Sequence, residues 1–251
     1  MGCSSSRIAE PDQPPARPVQ IGRPEAPVLH VPRRVVGPDG VEAPIVDYDL
    51  TRRDIERALA FVAEDLNSRR RPLTIVTVGG AVNTLYLRSR EATHDVDFFG
   101  SHLNNEELRA LDAAMQYAQR RSSVPLGGAW LNNETQLHMA PDVRRFVTET
   151  ALERNTVVFE RPGLRVVAAP WSYLFISKAN RIGTEYERGY DLDDAVAYLR
   201  HWLSQIADNA ISTRSIRDLC TRYRREMLSQ EVLKRINREY RRRYGDDGIR
   251  Q

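Results

Sequence analysis

The chain has 251 residues, 41% of them hydrophobic, with a formal net charge of +3. That length supports one substantial core, or a core with a helical extension, and the small net charge excludes a strong whole-chain field. Its two cysteines, Cys3 and Cys220, are far apart and outside any CxxC pattern; this excludes a disulfide framework or a cysteine zinc site and suits a reducing compartment.

The first residues read MGCSSSR. They fit the myristoylation pattern M-G-x-x-x-[ST], with Gly2 as acceptor, Ser6 as the required hydroxyl, and Cys3 placed for a second, thioester-linked chain. Two acyl chains give stable anchoring where one gives only marginal binding. No secretory h-region follows, and no apolar run approaches the roughly eighteen residues of a spanning helix. The expected location is therefore the cytoplasmic face of a membrane, or otherwise the cytoplasm. Residues 4–46 carry nine of the fourteen prolines and lack any sustained period, so 1–46 reads as a disordered tail with a lipidation signal.

Folded structure is expected to begin near Thr51. Ile55, Leu59, Val62 and Leu66 recur at helical spacing, and Thr51 with Asp54 forms a capping-box pattern. Leu73–Val78 is a short β-branched strand ended by Gly79-Gly80, and Ala81–Leu87 reads as a helix. Asp95–Phe99 is a second strand. Asn104–Arg121 is a helix with Glu106 and Glu107 in its first turn and Arg120 and Arg121 in its last. Pro141–Glu153 is helical, and Thr156–Glu160 and Leu164–Ala168 are strands joined at Arg161-Pro162-Gly163. From Trp171 the pattern is helical, broken near Gly183–Gly189 and Ser212. From Arg214 to Arg250 there are twelve Lys or Arg against six Asp or Glu. A segment this basic meets phosphates or an anionic membrane, or is simply a solvated helical face.

The chemistry concentrates between Gly79 and Asp97. A strand ending in Gly-Gly before a helix lets the backbone approach a phosphate. There is no GxxxxGK[ST] and no GxGxxG, which excludes a P-loop and a dinucleotide fingerprint. In a strand, residues i and i+2 share a face. Asp95 and Asp97 are therefore side by side, where two carboxylates repel unless a cation lies between them. Mg²⁺ takes one or two carboxylates plus waters and substrate phosphates. Arg90 can pair with a phosphate or with the aspartates, and Thr93 can hydrogen-bond across the turn. His94 points away from both aspartates and reads as structural, and Trp171 and Tyr173 read as core.

The string V-G-G-A…R-E-A-T-H-D-V-D-F-F resembles the nucleotidyltransferase superfamily that includes DNA polymerase beta. It is most like the minimal AbiEii-like and MenA-toxin-like branch. Trp130-Leu131-Asn132-Asn133 resembles a Trp-Leu-Asn-Asp segment of related domains. Pro170-Trp171-Ser172-Tyr173-Leu174 with Lys178 and Arg181 resembles the helix bearing the family's functional lysine, and Arg188–Asp194 its R-x-x-D-x-x-D segment. The likeness spans Thr74 to Leu199. It implies NMP transfer from an NTP. Asp95 and Asp97 would hold Mg²⁺, Gly79 and Gly80 would cradle the triphosphate, and Lys178 would steady phosphates. Asp191 and Asp194 would orient the lysine helix or assist the acceptor. Position 133 is Asn where the resemblance expects Asp, and Glu160 is the candidate third metal-binding acid.

These readings give an α/β (α+β) class: a small mixed sheet with flanking helices over 47–206, followed by a basic helical extension over 207–251. The expected function is Mg²⁺-dependent nucleotidyl transfer to an RNA or protein acceptor. The rivals are an inactive relative that binds a nucleotide or a partner, and an RNA-binding module acting on tRNA.

Overall fold

In the computed structural model the described residues are 29–32, 41 and 46–250. Gly2 and Cys3 lie outside them, as does most of the segment expected as a tail. The fold opens with strand β1 (Leu50–Thr51) and helix α1 (Arg52–Ser68). Thr51 caps α1 in the expected box, its N–H donating to Asp54 Oδ2 at 3.0 Å. Then come β2 (Leu73–Thr77), a short α2 (Gly80–Val82) that runs into a π-helical turn Asn83–Leu87, β3 (Ala92–Thr93) and β4 (Val96–Phe99). Helix α3 (Asn105–Arg121) is capped by Asn104 and Glu107. It is followed by β5 (Leu131–Asn132), α4 (Glu134–Leu137), α5 (Pro141–Arg154), and the hairpin β6 (Val157–Arg161) and β7 (Leu164–Ala168). The remainder is α6 (Trp171–Ala179), α7 (Asp191–Ile206), β8 (Ile211–Ser212), α8 (Thr213–Arg222), α9 (Gln230–Tyr244) and β9 (Ile249–Arg250).

The protein is of the α+β class, built on a five-stranded mixed sheet in the order β5-β4-β2-β7-β6. β2 runs parallel to β7 and antiparallel to β4, and β4 runs parallel to β5. Helices cover both faces, which is why β2 is buried along most of its length rather than alternating between core and solvent. Ile75, Val96, Phe98 and Val166 face α1 and α3, where they meet Leu59, Val62, Leu108 and Met115. Val76, Phe99 and Val167 face the other way, against Val147, Phe175 and Leu199. Ile216, Cys220, Ile236 and Tyr240 belong to this second core, so the basic stretch after residue 206 is packed into it.

Among the described residues no helix is long and apolar enough to cross a membrane. The basic stretch is also less charged in space than along the chain. Arg224, Arg235, Arg243 and Arg250 pair with Asp142, Glu187, Asp193 and Asp208, all contributed by earlier segments.

Candidate active site

Asp95 lies just before β4 and Asp97 within it. Strand alternation sends Val96 and Phe98 into the α1–α3 core, fully buried, and leaves both aspartates half-buried on the opposite face. The Asn132 amide donates to Asp95 Oδ2 at 3.2 Å, and the Thr135 hydroxyl donates to Asp97 Oδ1 at 3.0 Å. Burial raises the Asp95 carboxyl, against the pull of the Asn132 hydrogen bond. Burial, and then the Asp95 charge beside it, push Asp97 up to about 7. This is a carboxylate pair short of positive charge, as the sequence implies.

The glycine pair abuts it. The Val78 N–H donates to the Asp97 carbonyl at 3.1 Å, so the turn leaves β2 alongside the acidic strand. Gly79 has φ +67°, and a Cβ there would sit 3.5 Å from Asp97 Oδ2. At Gly80 a Cβ would meet Thr93 Oγ1 at 2.1 Å, an overlap. Thr93 thus presses on the turn from one side and Asp97 borders it on the other. From below, the Tyr198 hydroxyl donates to the Gly79 carbonyl at 3.1 Å.

The floor of the site is a buried ion network. Lys178 Nζ lies 2.9 Å from Asp191 Oδ1 and 3.0 Å from Asp194 Oδ2, with Lys178 only 7% exposed and the two aspartates 0% and 1%. Arg90 pairs with Asp194 and lies over the Tyr190 ring, 3.5 Å from its centroid. Arg181 Nε is 3.4 Å from Asp191 Oδ2, which also accepts the Arg188 N–H at 2.9 Å. Burial alone would raise the Asp191 carboxyl. The Arg188 N–H and the Lys178 ammonium reverse that and hold it below the usual carboxylate range. Three cations (Arg90, Lys178 and Arg181) meet two anions, leaving the floor with one net positive charge.

All of this opens into one cleft of about 1210 Å³. Gly79, Gly80, Arg90, Thr93, Asp95, Asp97 and Lys178 line it together, although Lys178 comes from α6, some eighty residues on. Asp191 and Asp194 do not line it. They sit behind Lys178 and Arg90 and hold them. His94 is 61% exposed at the cleft, 3.4 Å from Asp49, rather than packed into structure. Trp171 and Tyr173 are buried, as expected.

Glu160 is not brought to the site. It lies on β6, the outermost strand on the far side of β7 and β2, paired with Arg165 at 3.6 Å and 57% exposed. Three inter-strand spacings of about 4.8 Å separate β6 from β4, far beyond a metal–oxygen bond of about 2–2.5 Å. The expectation of Glu160 as a metal ligand is therefore corrected. Among the described residues no group of three or more His, Cys, Asp or Glu is arranged to hold a metal. Asn133 also lies outside the cleft, fully buried. The polar side chains that do touch the aspartates, Asn132 and Thr135, follow from β5 pairing in parallel beside β4, with Asp97 opposite Asn132. Asn132 lies inside a motif visible in the sequence, whereas Thr135 carried no signal.

A family model described as Domain of unknown function (DUF7582) matches residues 48–247. No curated protein and no solved structure matches the chain.

Two outcomes follow from this geometry. Asp97 holds its proton up to about pH 7 when folded and loses it near 3.8 when unfolded. In that interval the folded state binds more protons, so stability falls as pH rises through it. Denaturant titrations from pH 4.5 to 8 without divalent metal should show that fall, and Asp97→Asn should flatten it. Lys178→Met should cost less than the roughly 3–5 kcal/mol of a fully stranded buried charge, because Arg90 still pairs with Asp194 and Arg181 with Asp191; equilibrium unfolding at neutral pH measures this.

Proposed function

The chain belongs to the DUF7582 family, and we propose that it is a Mg²⁺-dependent nucleotidyltransferase that moves NMP from an NTP to an acceptor. One juxtaposition carries the reading. The same-face pair Asp95 and Asp97 borders the Gly79-Gly80 turn, and both open onto the Arg90–Lys178 floor within a single cleft. The donor set fits the metal: two half-buried carboxylates, one raised to about 7 by burial and by the other's charge, are what Mg²⁺ takes when substrate phosphates and water complete its shell. When bound, the ion would neutralise charge on the reacting phosphates. The glycine turn, bare of side chains, lets phosphates approach the backbone beside Asp97. Arg90 and Lys178, fixed from behind by Asp194 and Asp191, present positive charge that needs no reorganisation when the substrate arrives. The cleft exceeds the 300–1,000 Å³ of ordinary ligand pockets, which leaves room for an acceptor end next to a nucleotide. Arg224 and Arg225 line it as well; Arg224 is paired with Asp142, and Arg225 suits an acidic acceptor such as RNA.

One observation favours a second reading, an inactive relative that binds a nucleotide or a partner. Glu160 stands at the opposite sheet edge, and no third carboxylate joins Asp95 and Asp97 among the described residues. The two readings part in one assay. Wild type should transfer label from an α-phosphate-labelled NTP with Mg²⁺ or Mn²⁺, and Asp95→Asn or Asp97→Asn should reduce transfer at least about 10²-fold. Labelled nucleotide retained without transfer to any RNA or protein acceptor would select the binding reading instead.

We further propose that the N-terminus tethers the protein to a membrane through acylation of Gly2 and Cys3, on the strength of the M-G-C-S-S-S pattern. In cell fractionation the full-length protein should sediment with membranes and Gly2→Ala should move it to the supernatant.

A further inference from the structure

The sequence departs from its resemblance at Asn133, and the structure gives that asparagine a task. Its Oδ1 accepts the Val31 N–H at 2.9 Å, its Nδ2 donates to the Leu29 carbonyl at 2.8 Å, and its backbone N–H donates to the Val31 carbonyl at 3.1 Å. The side chain must both donate and accept. A carboxylate could only accept, and would face the Leu29 carbonyl oxygen with no proton to share. Val31 itself is fully buried in the α1–α3 core, and His30 Nε2 lies 3.4 Å from Glu134 Oε1. The segment Leu29–Pro32 therefore lies along the end of β5, the outer strand of the sheet beside β4.

What it grips is continuous with the acidic site. Asn132 and Thr135, on either side of Asn133, hydrogen-bond Asp95 and Asp97. Gln136, fully buried, accepts the Gly100 N–H at 2.8 Å at the far end of β4. The Asn132 side chain also accepts the Glu134 N–H at 3.0 Å, closing the turn between them. One short run thus holds the N-terminal segment with Asn133 and holds both aspartates and the end of their strand with its neighbours.

We infer that Leu29–Pro32 is a strap and Asn133 a positioning residue: docking of the strap sets Asn132 and Thr135 against Asp95 and Asp97, so the site responds to the N-terminal tail. This deepens the metal reading of those aspartates and rests on it for its functional meaning.

The test uses full-length protein and two variants. Val31→Asp releases the strap from its own side and leaves the Asn132–Gln136 run untouched. Asn133→Asp releases it from the other side. In hydrogen-exchange mass spectrometry both should speed exchange at 29–32 and, by about tenfold or more, at 94–100 and 131–136, while α3 and α6 keep wild-type protection. Mn²⁺ affinity, measured by calorimetry, should fall about 10–100-fold, the usual effect of losing partners that orient metal ligands. Release of the strap with unchanged exchange at 94–100 and unchanged Mn²⁺ affinity would overturn the inference, as would rapid exchange at 29–32 in wild type. Should Asn133→Asp lose protection everywhere, Val31→Asp decides. Should wild type bind no Mn²⁺, that failure belongs to the metal reading, and exchange at 94–100 alone decides the strap.

Discussion

The buried carboxylate of Asp194 is the constraint on which the cleft depends. It receives Arg90 from the stretch leading into β3 and Lys178 from α6, and it is itself 1% exposed on α7. Removing a charge from water costs several kcal/mol even after relaxation, and that cost is offset only where geometry and further hydrogen bonds are good. Here Asp191 supplies the second anion and the Arg188 N–H a further donor. The network cannot form until the sheet half and the helical half of the chain have come together. It therefore ties formation of the cleft to formation of the whole fold. It also fixes Arg90 on the Tyr190 ring and Lys178 between its acids, so neither cation has rotamer freedom left to lose when a ligand arrives.

The opposite wall is set by different physics. Burial of Val96 and Phe98 in one core forces Asp95 and Asp97 toward the cleft, because strand register admits no third option. Their mutual repulsion is borne by the packing of the sheet and softened by two neutral donors, Asn132 and Thr135. Neutral donors ease a carboxylate pair without cancelling its charge, so the wall keeps its attraction for a cation. A lysine in their place would have stabilised the fold further and filled the site's electrostatic role itself. One wall of the cleft thus carries uncompensated acid and the floor carries one surplus positive charge, the division expected where a metal and a phosphate chain lie side by side.

Local features of the sequence translated directly into structure. Thr51–Asp54 and Asn104–Glu107 cap the helices they precede, β2 and β7 fall where the β-branched runs lie, and the i, i+2 rule places both aspartates on one face. What did not translate was order across the sheet. Thr156–Glu160 reads as a strand and is one over Val157–Arg161, but nothing in its composition reveals that it is the outermost strand. Glu160 therefore looks as eligible as any acid until the topology removes it. Asn133 fails for the same reason. Its partner lies about a hundred residues away in a proline-rich stretch without periodicity, and a contact so remote leaves no local trace. Charge shows the limit most plainly. The excess of six positive charges counted from Arg214 to Arg250 shrinks to two once Asp142, Glu187, Asp193 and Asp208 are brought in from other elements.

That last contraction changes where an acidic ligand would be drawn. A solvated basic helix would offer a diffuse field along its length, but pairs such as Arg241–Asp247 and Arg243–Glu239 quench most of α9 within a few ångströms. Arg225, by contrast, belongs to the lining of the cleft, with Arg224 and the acids Glu185 and Glu226. The charged lining of the cleft is evenly divided, with six Arg or Lys and six Asp or Glu, so charge there is sorted locally rather than in excess. An anion approaching Asp95 and Asp97 is repelled unless a cation lies between them and it.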